Sequence, residues 1–311
     1  QAHLAAGDGA RRSVTLTPPD AGRQWRLRLS ATLLDGSTLR ACATDAFAVR
    51  PARLSIDQVG DADDSTPGTA RTLNTTAASG GAVHRAGRPF SLRASARNAG
   101  NGTTPGYDGT PSLSLESCPL PASGCIAGPL TPATLTASGG SITSDALRYG
   151  EVGAIRIKLS DPSFADIDAA DTPAAQRLVE STVVDVGRFV PDNYLLALAT
   201  PGVLATAQGS CAASGAGFTF FGQAFGWSTA PQVTITARAA DGSTTVNWAG
   251  TLMKLDAAAH ASTTLSASAT PAVSLTSALG PRAIAAAGPG QATLTVSAAD
   301  AYALLRAATP Q

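Results

Sequence analysis

Two stretches of this chain repeat each other, and that self-similarity constrains its fold more than any other feature. Ala96–Gly109 aligns without a gap against Ala237–Gly250, an offset of 141 residues read from Arg97 to Arg238. Both stretches carry Ala-Arg, a second Ala, Thr-Thr and a closing Gly, and Tyr107 stands opposite Trp248. Val49–Leu54 resembles Phe189–Tyr194, with Pro51 against Pro191, and Gly153–Leu159 more weakly matches Gln291–Ser297. The unit is therefore about 140 residues, and a proline opens each copy. Residues 1–50 read as the C-terminal part of a preceding unit, 51–190 as a complete unit, and 191–311 as a second unit cut before its last strand.

The local pattern is β. Trp25–Ala31, Phe90–Ala96, Ala154–Leu159 and Val233–Ala237 alternate apolar and polar residues, as a strand with one wet face does. Asp35-Gly36, Asn101-Gly102 and Asp241-Gly242 are dipeptides that favour tight hairpin turns. Helical spacing is confined to Thr172–Glu180 and Ala298–Ala307. A unit of this length with one-sided strands predicts an all-β chain of tandem Ig-like antiparallel β-sandwiches. The Cys-Trp-Cys signature of antibody domains is missing.

Charge narrows the function. Twenty-two basic residues balance 22 acidic ones, and only 14% of the chain is charged. A nucleic-acid binder needs a basic field, so none is expected as a partner. No run of about 18 apolar residues exists to span a bilayer. Cys118 and Cys125 flank the short loop Pro119–Gly124, which predicts a disulfide in an oxidising compartment. Cys42 and Cys211 pair with each other or with partners elsewhere.

Enzymatic chemistry would need a titratable constellation. The three histidines, His3, His84 and His260, are scattered, and neither a Gly-x-Ser-x-Gly elbow nor a phosphate-binding Gly-rich loop occurs. No catalytic residue and no organic cofactor is expected. Two acidic clusters invite calcium as a cofactor: Asp61, Asp63 and Asp64, and more strongly Asp161, Asp166, Asp168 and Asp171. Asx-turns and helix caps are the competing use of such aspartates. The aromatic run Phe218, Phe220, Phe221, Phe225 and Trp227 offers a sugar-stacking face, with Phe220, Phe225 and Trp227 the candidate ligand-facing rings; core packing competes for the same side chains. Arg97 and Arg238 occupy matched positions before a turn, suited to pairing with a carboxylate or carbonyl.

Several strings occur in a family's order: Cys42–Pro51, Ala86–Phe90, Tyr149–Gly153, Val186–Asp192 and Phe218–Phe225. Together they resemble the repeat region of MSHA-biogenesis MshQ-like proteins, large Gram-negative proteins encoded with type IV pilus genes. The resemblance covers most of residues 42–255 and implies an exported, cell-surface protein of a pilus system, built of β-sandwiches and without catalysis. The expected function is an extracellular structural or adhesive stalk whose partners are pilus or cell-surface proteins. The alternative is a ligand-binding adhesin module that recognises a glycan or surface receptor, with calcium in its loops. A β-sandwich hydrolase is a third class, requiring paired carboxylates in a cleft.

Overall fold

The computed structural model describes residues 15–33, 35–61, 71–205, 219–262 and 273–306. Strands dominate and their sheets are antiparallel, as the alternation predicts. An N-terminal segment contributes β1 (Gly22–Trp25), β2 (Arg28–Thr32), β3 (Thr38–Cys42) and β4 (Phe47–Val49); β1 pairs with β4, and β2 with β3 as a hairpin.

The middle sandwich follows: β5 (Arg53–Asp61), β6 (Arg71–Thr72), β7 (His84–Arg85), β8 (Phe90–Arg97), β9 (Ser112–Leu120), β10 (Leu130–Thr131), β11 (Ala137–Ser138), β12 (Ser141–Tyr149), β13 (Gly153–Asp161), β14 (Val179–Glu180) and β15 (Val184–Val190). One sheet runs β10-β12-β8-β5-β6 with β11 added to β12. The other runs β14-β13-β15-β7 with β9 on β13. Among the described residues only the short β15–β7 contact is parallel. The alternation of β8 and β13 makes the core. Phe90, Leu92, Ala94 and Ala96 of β8 meet Ile155, Ile157 and Leu159 of β13, all at most 4% exposed.

The C-terminal sandwich holds β16 (Asn193–Thr200), β17 (Val203–Ala205), β18 (Gly226–Thr229), β19 (Gln232–Arg238), β20 (Val273–Ala278), β21 (Ala283–Gly288), β22 (Gln291–Thr295) and β23 (Ala301–Arg306). Its main sheet runs β16-β19-β22-β21, beside the hairpins β17–β18 and β20–β23. A second apolar cluster gathers Ile235, Ala237, Trp248, Leu252 and Ala292 with Leu120, Val152 and Ala154 of the middle sandwich.

The stretches that match in sequence also match in backbone hydrogen bonding. Thr104 N–H donates to Ala96 O at 3.0 Å, and Thr245 N–H to Ala237 O at 3.0 Å. Tyr107 N–H donates to Thr104 O, Trp248 N–H to Thr245 O, and the β-bridges Arg97–Thr103 and Arg238–Thr244 close the two turns. Each turn also needs one glycine elsewhere. Gly140 and Gly290, at φ +75° and +69°, offer their carbonyls to Ala96 N–H and Ala237 N–H. A Cβ would lie 2.4 Å from Thr104 O at the first and 2.7 Å from Thr245 O at the second, so both steric room and backbone sign demand glycine. Side-chain partners are less alike: Arg97 lies 3.5 Å from Asp57, four residues along β5 from the Arg53 that faces it, whereas four residues along β16 from Asn193, which faces Arg238, stands Ala197.

Two helical expectations met different fates. Thr172–Glu180 shrinks to one α-helical turn, α1 (Ala174–Arg177), before the chain extends into β14. Ala298–Ala307 is a correction: its residues Ala301–Arg306 form β23, paired with β20 along six residue pairs, and Ala307 lies outside the described residues. Ladder hydrogen bonds override the helical preference of this Ala-rich stretch, because tertiary pairing outweighs intrinsic propensity. Buried Asp300 fixes the entry, accepting from Arg282 Nη1 and Tyr302 Oη at 2.8 Å each and from Gly280 N–H at 2.9 Å.

Tyr107 and Trp248, at most 1% exposed, plug the two cores. Tyr107→Ala or Trp248→Ala should each lose about 3–5 kcal/mol in urea unfolding. Tyr107→Phe should lose about 1–3 kcal/mol, because it strips Asp161 Oδ2 of the hydroxyl that donates to it at 2.8 Å.

Candidate functional site

The residues singled out in the sequence are dispersed. Asp161 is fully buried and is used locally: Oδ2 accepts from Tyr107 Oη, and Oδ1 accepts from Ser163 N–H, Ser163 Oγ and Phe164 N–H. Asp166 pairs with Arg177. Asp168 Oδ2 accepts Ala48 N–H at 3.0 Å from the N-terminal segment, and Asp171 accepts from its neighbour Thr172. These four aspartates therefore do not converge into a calcium cage. Each serves an Asx-turn, an ion pair or a strand contact instead. Among the described residues no group of three or more His, Cys, Asp or Glu is placed to hold a metal ion. Asp61 is buried against Arg71, while Asp63 and Asp64 lie outside the described residues.

The aromatic run splits as well. Phe225 and Trp227 turn onto Tyr302, with ring centroids 5.9 and 5.7 Å away, and Phe225 exchanges both backbone hydrogen bonds with it. Phe220 and Phe221 stay on the surface, so Phe220, Phe225 and Trp227 do not form one open stacking platform. Phe218 lies outside the described residues. His84 is buried against Phe90 and Phe189, and His260 caps back onto Asp256. A shallow hollow of about 450 Å³ is lined by Glu116, Ser117, Arg156, Val183 and Asp185, and Arg156 Nε is tied to Asp185 at 2.8 Å.

Cys118 and Cys125 form the expected disulfide, with Cα atoms 6.3 Å apart. Cys42 is a free, exposed thiol, and Cys211 lies outside the described residues.

What the structure does concentrate is polar chemistry at the two places where the N-terminal segment and the C-terminal sandwich meet the middle sandwich. Glu151 is 4% exposed on the turn between β12 and β13. Its Oε1 accepts from Val152 N–H at 2.8 Å and Asn247 N–H at 3.1 Å, and its Oε2 accepts from Val246 N–H at 2.8 Å. Asn247 answers from the other side. Its Oδ1 accepts Ile126 N–H at 2.9 Å, and its Nδ2 donates to Ile126 O at 2.8 Å and Val152 O at 3.3 Å. Ile126 follows Cys125, so the disulfide loop presents the edge that Asn247 grips. Ala240 N–H donates to Ala86 O at 2.9 Å, and Arg88 Nε meets Asp192 at 2.6 Å.

The N-terminal junction uses the same chemistry. Asp20 Oδ1 accepts from Ala21 N–H and Gly106 N–H, both at 2.8 Å. Gly106 stands one residue before Tyr107, as Asn247 stands before Trp248. Ala21 and Val152, 5% and 1% exposed, press into the cores beside Tyr107 and Trp248. Arg23 adds a contact 4.7 Å above the Phe164 ring and an ion pair to Asp108. Sequence reasoning passed over Glu151 and Asn247. The signal was Asp20-Ala21-Gly22 against Glu151-Val152-Gly153, an acid, an apolar residue and a glycine.

A family profile described as DUF6701, third domain, matches residues 151–311, just over half of the chain. The chain belongs to the DUF6701 family. Its matched span opens on Glu151 itself and takes in the last strands of the middle sandwich. Neither the curated proteins nor the solved structures yield a match to this DUF6701 chain. No helix among its described residues is long and apolar enough to cross a membrane, which says nothing of β-barrels.

Burial pushes the Glu151 carboxyl up from its usual range, against the three N–H bonds that favour the anion. A folded-state value raised in this way makes its contribution to stability fall as pH rises through the window just above the ordinary carboxylate value. Glu151→Gln should abolish that slope. It also turns an amide N–H₂ toward a backbone donor and should cost about 1–3 kcal/mol. Hydrogen exchange should then quicken at the Val246 and Asn247 amides while the middle core stays protected.

Proposed function

We propose that the chain is a non-catalytic stalk segment of an exported, cell-surface protein, in which tandem β-sandwiches act as spacers held in fixed succession. One observation carries the reading: Asp20 accepts the Gly106 N–H and Glu151 the Val246 and Asn247 N–H groups of the sandwich that follows, and beside each carboxylate an apolar residue enters that next core. Flexible linkers between domains are polar and make few contacts. Here the second cluster is built from both sandwiches, so bending the junction would expose Leu120, Val152 and Trp248.

The recurrent hydrogen bonds around Tyr107 and Trp248 support reading residues 51–190 and 191–311 as copies of one unit, with 1–50 the end of another. The disulfide is compatible with an oxidising compartment outside the cytosol. The likeness to MshQ-like repeats supports a place beside a type IV pilus on a Gram-negative surface, with pilus or surface proteins as partners.

Two measurements test this. On intact cells, protease shaving should release the chain with Cys118 and Cys125 oxidised; a chain recovered reduced from the cytoplasm would sink the reading. In small-angle scattering the purified chain should behave as one fixed arrangement, and the double variant Glu151→Ala, Asn247→Ala should broaden its distance distribution. An equally broad distribution in the unaltered protein would show that the junction is no spacer joint.

A further inference from the structure

One covalent bond lies at the joint between the middle and C-terminal sandwiches. Cys118 sits near the end of β9, which stays paired with β13 as far as Leu120 opposite Ala154. Its disulfide partner Cys125 lies in residues 121–129, which belong to no strand. That segment is held where it touches the C-terminal sandwich. Asn247 Oδ1 accepts Ile126 N–H at 2.9 Å, and Asn247 Nδ2 donates to Ile126 O at 2.8 Å. The same Nδ2 lies 3.8 Å from Cys125 Sγ, so the disulfide touches the side chain that grips Ile126. Leu120, inside the closed loop and 8% exposed, packs in the cluster that holds Trp248.

The bond is placed to act on the joint more than on either core. Pairing from Ser112 to Ser117 and the buried Leu113 hold β9 on β13 without the sulfurs. Residues 121–129 have no ladder to fall back on. Left open, this segment would sample many conformations, and Asn247 would have to order one of them. Closed onto β9, it meets Asn247 already in place. The sulfurs are also within reach of solvent: Cys118 and Cys125 are half-buried, and Ala122, Ser123 and Gly124 of the loop are exposed.

We propose that Cys118–Cys125 is a redox lock on this joint, an inference that rests on reading the joint as a spacer contact. With the disulfide closed, Ile126 is held on Asn247, Leu120 stays in the Trp248 cluster, and the two sandwiches keep one arrangement. Thiol–disulfide exchange opens the lock. A thiolate of an external dithiol attacks one cysteine sulfur, the S–S bond breaks, and the other sulfur leaves as a thiolate that takes a proton. The second thiol of the reductant then displaces the first sulfur. The protein gains two thiols and the dithiol departs as its own disulfide. Residues 121–129 loosen, Asn247 loses its hold on Ile126, and the sandwiches swing while each stays folded. Stiffness is thereby tied to compartment, because the bond closes where thiols are oxidised.

Small-angle scattering and hydrogen exchange on the full chain test the lock, with Cys42→Ser and Cys211→Ser in place so that only this pair responds. Dithiothreitol should release two thiols per chain and broaden the distance distribution. It should also quicken exchange at the Ile126, Val246 and Asn247 amides at least about tenfold. Amides of β8 should stay protected, and reoxidation should restore the oxidised pattern. Cys118→Ser with Cys125→Ser should match the reduced chain, with or without reductant. A reduced chain as narrow and as protected as the oxidised one would overturn the lock and leave the spacer reading standing. Thiols that never form would overturn it too. So would loss of β8 protection on reduction, which would make the bond a staple of the middle core. A broad distribution in the oxidised chain would instead remove the spacer reading, and the lock with it.

Discussion

An apolar sheet face must be covered by a second layer, and everything else in this molecule follows from how that requirement is met. With about 25 cal/mol for each Å² of apolar surface removed from water, no other term matches it in an all-β protein. The middle sandwich meets the requirement within itself: β8 and β13 interdigitate, and Tyr107 and Phe164 close one end with rings 4.9 Å apart. The C-terminal sandwich meets it in part, with Trp248, Leu252 and residues borrowed from its neighbour covering Ile235 and Ala292. The edge at Leu196 and Leu198 is left open.

Borrowing is what ties the units together. Val152 reaches the Trp248 core only because the turn before it is pinned, and Glu151 supplies the pin by accepting three backbone N–H groups. A buried carboxylate without such donors would be costly. With them it orients two chain segments at once. The disulfide acts at the same place, since the Cys118–Cys125 loop ends at Ile126, which Asn247 holds by both its N–H and its C=O. The aspartates of the Asp161 loop have a similar role on the other side: Asp168 reaches the N-terminal segment and Asp161 anchors Tyr107.

Strand periodicity was legible wherever it was sustained, as in β8, β13 and β19. The Trp25–Ala31 run broke into β1 and β2, and Ala301–Arg306 became a strand. In both, the deciding factor was which neighbour offered hydrogen bonds, and no local pattern carries that. The site was less legible still. Asp161, Asp166, Asp168 and Asp171 look alike in a one-dimensional cluster, yet a turn, an ion pair and a strand contact draw them apart. Glu151 drew no notice because its partners lie some 95 residues further along.

By itself the sequence determined the all-β class and the closure of Cys118 on Cys125, because alternation, turn dipeptides and short loops act over neighbouring residues. Only the tertiary structure decided which carboxylates are joints, which aromatic rings face Tyr302, and which leucines remain uncovered. Those outcomes depend on surfaces that meet across a hundred residues of chain. An acid or a leucine has the same local signature whether its partner is a backbone N–H, another sheet or water.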